Sequence, residues 1–337
     1  MSTTFQNTVC VATLLLAGCA ESGSTGKAAP PPSSAAAAAV GPAAPTMVVA
    51  FDAAAGELPE GVAIKDGFAY VGFAPLGEIA RVNLRTGARA HFAALPRPVP
   101  NKGFMTGLAF GPDHMLYAAL VSFDPSVQPG VYRVPEAGGN ASLFAKDPKM
   151  VFPNGLVFGA DGNLFVTDSA AGTIFEVTRS GAVSPWAASP LLAGDPAQCG
   201  GSGNPFPIGA NGLVERDGAF FATNTDKGSI VRIPMGADGA AGAPALAVGP
   251  DCAALAGADG LTLDSRRDLV VAVNRQDKIA RIDRSGRIDV VATHGAVDFP
   301  ASLAWNGTTM ISTNFALANA SSGKPAKPGL LAIAEGP

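Results

Sequence analysis

Six times along this chain a short apolar run of period two follows a residue that is itself followed by Gly or Ser, and each run leads through a tight turn into a second run. The clearest copy spans 152–177 and reads FPNGLVFGADGNLFVTDSAAGTIFEV, with runs at 156–158, 163–167 and 173–177. Ala160-Asp161-Gly162 and Ala170-Ala171-Gly172 separate them. Such punctuation predicts successive antiparallel hairpins and argues against helices. The residues that open the copies are Glu60, Thr106, Asn154, Asn211, Asp259 and Ala301, spaced 42 to 57 residues apart. That spacing is close to the ~40–50 residues of a propeller blade. An all-β, six-bladed β-propeller is therefore expected over 46–337, one domain where length alone would allow two.

The ends of the chain differ from this body. VCVATLLLAGCA is an apolar run of about a dozen residues, too short to span a bilayer and of the length of a signal-peptide core. It ends in Leu16-Ala17-Gly18-Cys19, which resembles the lipobox of bacterial lipoproteins. Residues 1–19 are read as a lipoprotein signal with Cys19 lipidated, the alternative being a secretory signal with an incidental cysteine. Residues 1–8 carry no Lys or Arg, which departs from the usual positive start. From 20 to 45 the chain is largely Ala, Pro, Ser and Gly, a composition expected of a disordered tether. Ala20 after the cysteine resembles lipoproteins sorted to the outer membrane of Gram-negative bacteria; with an incidental lipobox the protein would be periplasmic. The last repeat is one strand short, and the apolar stretch 48–51 is predicted to pair outside 330–333 and close the ring.

Strand direction gathers the six opening residues, hereafter pivots, at one end of the ring around its axis. Asp168, Asn224, Asn274 and Asn314 read as the ends of second strands at that same end, whereas the Asp-Gly turns and His114 fall at the other. Glu60 and Asp259 would face Asn154 and Asn211. Two confined carboxylates resist joint ionisation unless a cation compensates them. The set is all oxygen, which suits calcium, manganese or magnesium better than zinc. The alternative is that Asn-Gly and Asp-Gly merely open strands as turns, which leaves Pro59-Glu60-Gly61 unexplained. No nucleophile elbow, His pair or phosphate loop is present, and a net charge of −4 without a basic run excludes nucleic acid as an expected partner.

PEGVA, PNGLVFGADGNLFVTDS, GANGLV and GADGLTLD together resemble the regucalcin and gluconolactonase family, calcium-dependent six-bladed propellers that also resemble paraoxonases. The resemblance covers about residues 46–335. It implies that Glu60, Asn154, Asn211 and Asp259 hold the metal, calcium by this likeness, and that a lactone is hydrolysed with Asp259 as both ligand and general base. Sugar lactonases of the family carry Arg two residues before the blade-three Asn; here that residue is Phe152. Phe152, Phe299 and the pivot Thr106 are assigned to the pocket wall, pointing to a less hydroxylated lactone or ester, although Phe152 and Phe299 could equally pack between blades. His294 lies in the loop between blades five and six. Cys199 and Cys252 enter consecutive blades at the site-bearing end and are expected to form a disulfide pinning the loop 187–210 as a partial lid. The expected product is a monomeric, exported hydrolase that meets membrane only through its lipid; the alternative is a non-catalytic propeller lipoprotein that binds a ligand or protein around a structural metal.

Overall fold

Strands with one apolar face must bury it against a neighbour, and a ring of sheets does this at every junction without an exposed end. The computed structural model, which describes residues 44–200, 206–293 and 295–335, has this form: six β-sheets around one axis. The leader ending at Cys19, all but the last two residues of the 20–45 segment, and His294 lie outside the described residues. Blade three shows the common plan. Pro153–Phe158 is innermost, and Leu164–Asp168, Thr173–Val177 and Val183–Ala188 follow outward, each antiparallel to the one before. Blade one gains a two-residue fifth strand, Gly139–Asn140, parallel to Arg89–Ala94.

Blade six closes the ring as the sequence predicts. It takes three strands from the end of the chain, Pro300–Asn306, Thr309–Asn314 and Gly329–Ala334, and its outermost strand, Thr46–Ala50, from the beginning. Met47 pairs with Leu331 and Ala50 with Gly329.

The core divides into six principal apolar clusters, one at each blade junction. Between blades three and four, for example, the Phe165 ring lies 4.5 Å from Phe220 and 5.1 Å edge-on to Trp186. Each fully buried side chain of this kind, Phe165 and Phe220 here, contributes about 1.5–3 kcal/mol.

All six inner strands lose register at the same place, between Pro59 and Val62 in blade one and at the matching pairs elsewhere. Inside each break sit the pivot and the residue after it, so the pivots are not turn residues. The glycines that follow them explain the pattern differently. A Cβ on Gly61, Gly107, Gly155, Gly212 or Gly260 would collide with the pivot carbonyl of the next blade: Thr106, Asn154, Asn211, Asp259 and Ala301 respectively. None of the five has a left-handed φ. Space, not turn geometry, selects glycine here. Threonine hydroxyls also tie junctions, Thr223 donating to the Asp259 carbonyl at 2.7 Å between blades four and five and Thr313 to that of Glu60 at 2.9 Å between blades six and one.

Candidate functional site

The register break sets each pivot apart from the ladder, and four of the six carry a carboxyl or an amide. Glu60, Asn154, Asn211 and Asp259 are all buried. Asn154 Nδ2 donates to Ser169 Oγ (3.1 Å), Asn211 Nδ2 to Thr225 Oγ1 (3.0 Å), and Asn274 Nδ2 donates to Asp259 Oδ2 (2.8 Å). Burial pushes the Asp259 carboxyl up to about 7, against hydrogen bonds from Asn274 and Asn211 that pull it down. Glu60 is held well above the usual carboxylate range, first by burial and then by the charge of Asp259. Glu60 thus feels the charge of Asp259, and its Oε2 is buried without a hydrogen-bond partner among the described residues.

These residues fit a hard divalent cation. With their nitrogens engaged by Ser169 and Thr225, the two amides have their oxygens left to offer, and with the two carboxyls they make an all-oxygen donor set. Among the described residues no trio of His, Cys, Asp or Glu gathers at metal spacing. A site here would draw half its donors from amides.

Above the pivots opens a cavity of about 430 Å³, with Asn154, Asn211 and Asp259 in its lining. Its walls are set by the residue two before each pivot, which is Phe in blades two, three and six and Gly in blades four and five. Phe104, Phe152 and Phe299 accordingly line it, joined by Phe206 and Phe315. Phe152 meets Phe104 edge-on at 5.3 Å and Phe206 at 5.8 Å. On the glycine side, a Cβ at Gly257 would strike Asn274 Oδ1 and Arg275, so glycine makes room for both in the lining. A second concavity of about 330 Å³ is lined by residues of blades two and three that include the Pro112-Asp113 turn, at the end of the blades away from the pivots.

Phe152 and Phe299 thus stand where the sequence placed them, and Phe152 is also packed, only 3% exposed. Asp168 helps hold it there. Its carboxylate accepts from the Phe152 N–H (2.7 Å) while capping the turn at Ala170 and Ala171, and burial raises its pKa. Phe299 adopts a left-handed φ of 47°, with its N–H bonded to Asp277 Oδ1. Thr106 falls elsewhere than expected. It is buried outside the cavity lining, because its hydroxyl turns sideways to the Pro153 carbonyl (2.9 Å) and ties blade two to blade three. His114 sits in the turn between Gly111 and Met115, away from the pivots.

Cys199 and Cys252 are joined by a disulfide, Cα–Cα 5.0 Å. The Cys199 carbonyl accepts from Arg275 Nη2 and that of Cys252 from Gln276 Nε2, so the bridge is fastened to the turn after Asn274. Among the described residues of loop 187–210, Phe206 and Ile208 reach the cavity.

One alignment changes. Asp168, Asn224 and Asn314 lie across from the residue before their pivots, Pro153, Ala210 and Pro300, but in blade five Val273 takes that place opposite Ala258. Asn274 is therefore one residue further on, in register with Ser169 and Thr225. The sequence reading missed this, along with Phe104, Phe206, Phe315 and Arg275. Phe104 alone had a legible signal, the Phe two before a pivot.

No family model matches the chain, and no curated protein matches its sequence. Solved structures match its fold. A regucalcin from Agrobacterium tumefaciens, described as a calcium-binding protein, is 17% identical with a TM-score of 0.59, over 83% of this chain and 92% of that one. A putative gluconolactonase is 14% identical with a TM-score of 0.61, over 88% and 94%. Virginiamycin B lyase from Staphylococcus aureus is 18% identical with a TM-score of 0.50, over 77% and 78%. The likeness to regucalcin and gluconolactonase is thus a likeness of fold, a six-bladed propeller.

Proposed function

We propose that this chain is an exported, cation-dependent hydrolase that opens a lactone or related ester of low hydroxyl content. The observation carrying this reading is the buried Asp259 carboxyl beside the Asn154 and Asn211 amides in the lining of a phenylalanine-walled cavity, with a buried Glu60 carboxyl that feels the charge of Asp259. Glu60, Asn154, Asn211 and Asp259 would hold the ion. A bound hard divalent cation, calcium by likeness to a protein described as calcium-binding, would offset the two carboxylates and polarise a substrate carbonyl. Asp259 acts as general base, accepting a proton from the water whose oxygen attacks the carbonyl carbon; the acyl C–O bond to the ring or alkoxy oxygen then breaks, and the proton passes from Asp259 to that departing oxygen, leaving an acid and an alcohol. Phe104, Phe152 and Phe206 seat the apolar part of the substrate and keep bulk water from the carboxyls. Lipid anchoring at Cys19 belongs to the same proposal.

The test is a panel of alkyl-substituted lactones, aryl esters and sugar lactones, assayed with calcium and after chelation. Turnover of the apolar lactones that falls at least a hundredfold with chelator and returns with calcium is expected. Turnover indifferent to chelator would remove the cation from the reading. No turnover of any ester, with metal present by elemental analysis, would replace the hydrolase with a ligand-binding propeller.

A further inference from the structure

The register of the second strands places one residue beside each of three pivots, and its chemistry matches the pivot it faces. Beside Asn154 stands Ser169, beside Asn211 stands Thr225, and beside Asp259 stands Asn274; all three are buried, and Thr225 and Asn274 share the cavity lining with their pivots. The amide pivots have hydroxyl partners and the carboxylate pivot has an amide partner. Hydrogen counting makes each pairing directional. A hydroxyl has a single hydrogen to donate. Ser169 gives its hydrogen to the Ala210 carbonyl (2.8 Å) and Thr225 gives its own to the Ala258 carbonyl (2.7 Å). Towards the pivot each can then only accept, which obliges Asn154 and Asn211 to present nitrogen to it and frees the amide oxygen. Asn274 is the complementary case: facing a carboxylate it donates, occupying Asp259 Oδ2 and fixing the plane of the group. Neighbouring polar residues show what this position is not. Asn224 donates to the Leu191 and Ala193 carbonyls and Asn314 to those of Ala296 and Lys327, so both serve the backbone.

We infer that Ser169, Thr225 and Asn274 form a layer of positioning residues that orients the pivots with oxygen available to one cation. The inference rests on the cation-site reading above. Loss of an outer partner of this kind weakens metal affinity by about 10- to 100-fold.

The test measures calcium binding by titration calorimetry, with terbium luminescence as a second probe, and melts each metal-free protein. Thr225→Val, close in shape but unable to accept, should bind calcium at least tenfold more weakly than wild type, and Thr225→Ser should restore it. Asn274→Ala should weaken binding to a similar degree; Asn274→Ser, also too short to reach Asp259, serves if the alanine variant does not fold. Thr106→Val removes an equivalent tie between blades without altering any of the four carboxyl or amide pivots, so it should lower the melting temperature and leave calcium affinity unchanged. Wild-type affinity in folded Thr225→Val and in the Asn274 variant would overturn the inference alone. So would a Thr106→Val loss as large as theirs, because weakening would then follow general loosening. No calcium or terbium binding by wild type would overturn the cation-site reading and this inference with it.

Discussion

Blades two and six occupy the same ring as blades one, three, four and five, yet their pivots are Thr106 and Ala301, where the other four carry Glu60, Asn154, Asn211 and Asp259. All six inner strands break register at this point, and all six pivots are buried. Thr106 directs its hydroxyl to a neighbouring carbonyl, while Ala301 packs with Ala74 and Phe315. The fold is therefore content with a small, internally satisfied side chain at the pivot. Two buried carboxyls with raised pKa values are not what the ring requires, and groups that oppose stability in this way concentrate at functional sites.

The strongest way to break this comparison is Asp259→Asn. Removing a general base is expected to cut turnover of a responsive lactone by about 10²–10⁴-fold while circular dichroism and the cooperative melt persist; an unchanged rate would return Asp259 to the structural class of Thr106. Next comes the glycine that follows a pivot. Gly155→Val drives a side chain into the Asn211 carbonyl, and a destabilisation above roughly 4 kcal/mol is expected, read as loss of soluble folded protein or a collapsed urea midpoint. The third concerns pH. In metal-free protein the Asp259 carboxyl is raised from 3.8 to about 7, so between those values the folded state holds a proton that the unfolded chain has released. Its stabilising contribution is complete below the unfolded value and is lost as pH rises through the folded one. Chelated wild type should thus lose on the order of 4 kcal/mol between about pH 4 and pH 8 from this group, and urea titrations of Asp259→Asn should show a shallower slope, keeping only the share that comes from Glu60. The smallest effect is expected at Ser302, the follower of the blade-six pivot. Ser302→Gly should move stability by less than about 1 kcal/mol in a thermal melt, because this junction already accommodates a side chain.

Much of this was legible in the sequence because it repeats. Six copies of one hairpin pattern define the ring, a missing last strand points to the beginning of the chain, and four pivots with a carboxyl or an amide stand out against Thr106 and Ala301. Asn274 was misplaced for a physical reason. In blades three, four and six the residue across from the one before the pivot is Asp or Asn, whereas blade five has Val273 there, and the next polar residue looked like its counterpart. A period-two strand reverses facing with each residue, so a slip of one exchanges a backbone cap for a contact with Asp259. Thr106 was misjudged because a pivot's position does not reveal which way a hydroxyl turns. Phe206 comes to the cavity from a long loop, where no periodicity constrains it.

The outer strand of blade six has a mechanical consequence. Thr46–Ala50 is the clasp of the ring, and it is also where the N-terminal chain joins the propeller. Any pull delivered along that segment is borne first by the ladder to Gly329–Ala334, so an anchored molecule would carry its load on the seam that keeps the circle shut.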